Sequence, residues 1–92
     1  MIYYHVTDYY VHESIFHEGL KGNPVIYVTH SPRAALAIRQ DQLRLREKFG
    51  ACVVLKVDYE GDTFVDPDVW PLHTAWMIYD DLPTQQIQLC YG

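Results

Sequence analysis

Hydrophobic and polar positions alternate in short blocks along the chain, and each block predicts one element. Ile2 to Val6 is rich in β-branched and aromatic residues and predicts a strand. Thr7 or Asp8 is placed to cap a following helix, whose apolar face is Val11, Ile15 and Phe16. Gly19 ends that helix in the left-handed conformation that glycine tolerates, with Leu20 folding back over the last turn. Lys21 to Pro24 is a turn cluster, and Val25 to Thr29 is a second strand. Ser31-Pro32 starts a second helix, serine as N-cap and proline at the first helical position. Arg33 to Phe49 contains no glycine or proline and has strong helix propensity, and Gly50 stops it.

Ala51 to Val57 is apolar except for Lys56, which predicts a central strand covered on both faces. Thr63-Phe64-Val65, Thr74 to Tyr79 and Gln86 to Tyr91 predict three more strands. Between them lie a turn at Asp58 to Asp62, a loop containing Asp66-Pro67-Asp68 and Trp70-Pro71, and a turn at Asp80 to Pro83. Two helices in the N-terminal half and a mostly antiparallel or split sheet define an α+β class. Ninety-two residues make a single domain, 1–92, of modest stability.

Composition narrows the function classes. The net charge of −5, from 7 basic and 12 acidic residues, disfavours nonspecific binding to nucleic acid or anionic membranes. Basic residues nevertheless gather at Arg33, Arg39, Arg44, Arg46 and Lys48, a solvated helix face or a local anion-binding one. Eight tyrosines fit half-buried strand sites or an aromatic cleft. Cys52 and Cys90 lie in apolar runs and read as two buried free thiols. No signal peptide and no apolar run near the ~20 residues of a membrane helix is visible, so a soluble cytoplasmic protein is expected. His12 and His17 are five apart, a poor spacing for metal ligands, while His30 and His73 are isolated; no metal site is expected.

Several segments, taken in order, carry a likeness. They are Tyr4-His5-Val6-Thr7, His17-Glu18-Gly19-Leu20, Ile26-Tyr27-Val28-Thr29 leading into Ser31 to Ala35, Val53 to Asp58, and Thr74 to Ile78 with Pro83 to Ile87. In this order and spacing the chain resembles a compact member of the ADP-ribosyltransferase superfamily. The likeness is to the DNA-modifying DarT type and, in overall pattern, to the RNA 2′-phosphotransferases. It implies a small split β-sheet and NAD as substrate. It also implies a mono-ADP-ribosyltransferase of toxin or anti-defence type, acting on a protein or nucleic acid.

By that resemblance His5 would donate to a ribose hydroxyl, and Thr7 would add a hydroxyl contact near the nicotinamide amide. Val6 stands where many relatives carry glycine, and its expected contact is through backbone. Tyr27 would stack on nicotinamide, and Arg33 at a helix start could meet a pyrophosphate. Active members carry a glutamate that supports the oxocarbenium-like sugar cation. Here that position is Ala75, which can neither stabilise charge nor take a proton.

Three readings of Ala75 stay open: a silenced transferase, a native domain that binds NAD, ADP-ribose or a related signal nucleotide without turnover, or a role passed to Gln85, Asp80 or Asp81. A small protein-interaction domain is the remaining alternative. Each candidate also has a plainer reading. His5 could be a core histidine satisfied by a neighbouring carbonyl, Tyr27 an ordinary strand tyrosine, Arg33 a surface arginine, and Asp80 and Asp81 solvated turn residues.

Overall fold

The computed structural model describes residues 1–8, 12–21, 25–46, 52–66 and 75–91. Strands β1 (Ile2–Asp8), β2 (Ile26–Thr29), β3 (Cys52–Asp58), β4 (Phe64–Val65), β5 (Ala75–Ile78) and β6 (Ile87–Tyr91) form one sheet, in the order β4-β5-β2-β1-β3-β6. Every pairing in it is antiparallel. Helices α1 (His12–Glu18) and α2 (Pro32–Arg46) follow β1 and β2, and a 3-10 turn at Thr84–Gln86 precedes β6. The chain is a small α+β domain with both helices in its first half, as the alternation of blocks predicts.

The longest ladder joins β1 to β3, running from Ile2 opposite Asp58 to Asp8 opposite Cys52. Thr7 and Asp8 are held extended by pairing with Val53 and Cys52, and residues 9–11, which the expected cap would serve, lie outside the described residues. The cap at the second helix is as expected. The Ser31 hydroxyl accepts from the Ala34 N–H at 3.0 Å, and the Ser31 carbonyl accepts from the Ala35 N–H at 3.1 Å.

Gly19 ends α1 with φ +83, and its N–H donates to the Ile15 carbonyl at 2.8 Å. A Cβ there would run into the Leu82 carbonyl oxygen, so glycine is required by both conformation and space. Leu20 is buried in the same core cluster as Ile15 of α1, and its backbone exchanges two hydrogen bonds with Leu82, both 2.8 Å. A long-range bridge thus follows the helix end.

The core is one cluster. Tyr3, Val53, Leu55, Val57 and Ile87 contribute from one part of the sheet, and Ile26, Val28 and Ile78 from the other. Ile15, Leu20 and Leu82 join it, with Phe16 and Trp76 packed against its edge. β3 is the central apolar strand predicted, with Val53, Val54, Leu55 and Val57 all buried. Cys52 and Cys90 are free thiols, but they are half-buried rather than buried. The turn at 22–24, the end of the second predicted helix at 47–50 and the loop at 67–74, with Val11, His73 and Thr74, lie outside the described residues.

Candidate functional site

The ladder is shortest between β1 and β2, and His5, Val6, Thr7 and Tyr27 lie along it. Those strands register at Tyr4 opposite Thr29 alone, whereas β1 ladders with β3 over its whole length. Beyond Tyr4, the side of β1 facing β2 is not laddered at His5, Val6 or Thr7. The His5 ring bridges the gap: its Nδ1 lies 2.6 Å from the Tyr27 carbonyl oxygen. A carbonyl can only accept, so Nδ1 carries the proton and donates. The ring does here what a ladder N–H would do in a fully paired sheet.

Burial lowers the pKa of His5 below its ordinary value of 6.5, and the hydrogen bond to the Tyr27 carbonyl opposes that only in part. The ring is therefore neutral at pH 7, with a lone pair on Nε2. Among the described residues nothing partners Nε2. A neutral imidazole of this tautomer accepts from a sugar hydroxyl, the reverse of the donation expected from the sequence. The plainer reading of His5, satisfied by a neighbouring carbonyl, holds for one of its two nitrogens.

Tyr27 is 50% exposed. It lies opposite Met77 on β5, while Thr29 lies opposite Ala75. Residues two apart on a strand share a face, so Tyr27 and Ala75 are diagonal neighbours on one face of β2–β5. Val6 and Thr7 are half-buried and paired with Val54 and Val53 on the β3 side.

Ala75 is only 4% exposed. Its carbonyl accepts the Asp66 N–H at 2.8 Å, which extends the β4–β5 ladder by one position and sets Asp66 opposite Ala75. Thr29, Ala75 and Asp66 form a buried row across three strands, with a carboxylate beside the alanine methyl. Thr29 and Asp66 each have interactions of their own. The sequence gives no sign of Asp66 as a neighbour of position 75, because the β4–β5 register is a long-range property.

Arg33 is exposed at the start of α2, where it lines a shallow depression of about 390 Å³ with Leu36, Ala37 and Gln40. Neither His5 nor Tyr27 is among those lining residues. The side chains of Arg39, Arg44 and Arg46, and the whole of Lys48, lie outside the described residues. Gln85 and Asp81 sit elsewhere, around a second depression of about 350 Å³ with His17, Lys21 and Thr84. Asp80 accepts a hydrogen bond from the Tyr59 hydroxyl at 2.5 Å. That bond, with burial, pushes the phenol up to about 12. Among the described residues no group of three His, Cys, Asp or Glu side chains could hold a metal, and no helix is long and apolar enough to cross a membrane.

No family model, curated protein or solved structure matches the chain.

Proposed function

We propose that this chain is an ADP-ribosyltransferase-like domain that binds NAD or an ADP-ribose-type nucleotide at the β1–β2 gap and, with alanine at position 75, holds it without turnover. The observation that carries the reading is the His5–Tyr27 link. It fixes the tautomer of a neutral imidazole whose second nitrogen can accept from a sugar hydroxyl; the link is to the Tyr27 backbone, and the Tyr4–Thr29 register sets the half-exposed Tyr27 ring on the other face of the sheet. The near-separation of β1 from β2 is consistent with a split sheet of that family. Main-chain groups of β1 that face β2 between His5 and Thr7 are unladdered and can supply the contacts that the resemblance implies.

Breaking a glycosidic bond demands a fixed negative charge near the sugar, and Ala75 offers none. A second reading rests on Asp66, the carboxylate opposite Ala75. In that reading the domain is an active mono-ADP-ribosyltransferase whose charge comes from β4 rather than β5.

Thermal stabilisation by NAD and by ADP-ribose, measured alongside nicotinamide release, tests both readings. Stabilisation that is lost in His5→Ala, with no nicotinamide released, is the expected result. Release that disappears in Asp66→Asn supports the second reading. Absence of any stabilisation by either nucleotide would sink the site. Ala75→Glu alone places two carboxylates opposite each other in a buried row, which raises their pKa values and weakens the fold. Restored transferase chemistry is therefore sought in Ala75→Glu combined with Asp66→Asn.

A further inference from the structure

A second surface lies on the outer strands of the sheet. Phe64 on β4 lies opposite Met77 on β5, and Met77 lies opposite Tyr27 on β2. Directly opposed residues share a face, so the three side chains form one row across three strands. Tyr79, two residues beyond Met77, extends the row. Its ring meets Phe64 edge to face at a centroid distance of 5.4 Å, and its hydroxyl lies 4.0 Å from the Met77 sulfur. Phe64 is 51% exposed and Tyr79 is 54% exposed. Three half-exposed aromatic rings around a methionine thus lie on a sheet face.

The rim of this row is acidic. Asp62 precedes Phe64 by two residues, and Asp80 directly follows Tyr79; both are exposed. Both also act on the Tyr59 hydroxyl, Asp80 by hydrogen bond and Asp62 by its charge, which puts the two carboxylates near one another at one end of the row. Aromatic faces attract cations, guanidinium above all, and carboxylates pair with the same group in a forked geometry.

We propose that this face docks an extended, arginine-bearing protein segment, with guanidinium groups lying on the rings of Tyr27, Phe64 and Tyr79 and meeting Asp62 and Asp80. The chain's net charge of −5 favours the approach of a cationic partner. The same charge and the two carboxylates oppose a nucleic acid, an anionic lipid surface or a second copy of this chain. Among the described residues β4 is the outermost strand on this side, so an extended segment can lie alongside it and add main-chain hydrogen bonds. The proposal is independent of the nucleotide reading.

The test follows amide and methionine-methyl resonances of the whole chain during titration with an acetylated leucine-arginine-phenylalanine-arginine-leucine peptide. The same peptide with citrulline for arginine is the control, and a thymidine oligonucleotide is the competing probe. Saturable shifts at Tyr27, Phe64, Met77 and Tyr79 are expected, weakened roughly tenfold by citrulline. Asp62→Asn with Asp80→Asn should weaken binding roughly five- to tenfold. The asparagine at 80 keeps an acceptor for the Tyr59 hydroxyl, and unmoved core resonances report that the variant is folded. If the double variant does not fold, Phe64→Ser serves instead and should abolish saturation. The proposal is overturned by no shifts at millimolar peptide or by equal binding of the citrulline peptide. Shifts confined to the Arg33 face, stronger binding of the oligonucleotide, or self-association through the row in the absence of peptide would also overturn it.

Discussion

The two halves of the sheet differ in how they are built. β1, β3 and β6 are joined by long ladders, and β3 between them has Val53, Val54, Leu55 and Val57 buried. β2, β5 and β4 are four, four and two residues long, and they present Tyr27, Phe64, Val65 and Tyr79 to solvent. The same backbone pattern serves two purposes. Along β3, where both faces are covered, side chains hold the fold, although Ile2 and Leu89 on the flanking strands are exposed. Where one face is left open, aromatic residues remain for a ligand or a partner. The candidate site lies at the junction of the halves, where a histidine side chain stands in for a missing ladder bond.

The sharpest way to break this comparison is to remove a side chain from the long-laddered half. Leu55 is 0% exposed on the central strand. Leu55→Ala should cost about 2–5 kcal/mol, by lost transfer energy and the cavity left behind. That is a large share of the stability of a domain this small, and urea denaturation should show a strongly lowered midpoint or no folded baseline. A loss below about 1 kcal/mol would mean that β3 does not anchor the core.

The next effect tests the strap that ties α1 to the short-laddered half. Gly19→Ala places a methyl group against the Leu82 carbonyl in a left-handed conformation. A cost of about 1–3 kcal/mol is expected, with faster hydrogen exchange at Leu20 and Leu82. Wild-type protection at those two amides would show that the bridge adjusts without strain.

How much of this was legible in the sequence depends on the distance over which each feature is set. Strand and helix periodicity, the Ser31-Pro32 start and the Gly19 stop are local, and all were readable. The strand continuing through Asp8, the Leu20–Leu82 bridge and the Asp66–Ala75 juxtaposition each depend on pairing partners far along the chain. His5 shows the boundary well. Its residue type and strand position pointed to a functional or satisfied histidine. Its tautomer, and hence whether it donates or accepts, came only from the Tyr27 carbonyl.

A pH series sharpens the comparison at the junction itself. Burial lowers the His5 pKa in the folded state, so the unfolded chain binds the extra proton first as pH falls below about 6.5. Stability contributed at this site is present above that pH and is lost as pH falls through the lowered folded value. His5→Gln keeps a donor for the Tyr27 carbonyl and cannot ionise. Its stability should therefore fall less steeply between pH 7 and 5, by at most about 1.4 kcal/mol per pH unit. Parallel slopes for the two proteins would show that the ring is not sheltered.

The smallest effect is expected on the open row. Phe64 is half-exposed on a two-residue edge strand, and its ring contact with Tyr79 is itself exposed. Phe64→Ser removes apolar area that is largely in contact with water in the folded chain as well as in the unfolded one. It should cost no more than about 1 kcal/mol, well below Leu55→Ala measured in the same urea series. Because the expected loss is small, the result discriminates. A small loss leaves the exposed ring of Phe64 free for a role outside the fold. A loss as large as that of Leu55→Ala would mean that the row is part of the core, and the contrast between the halves would go with it.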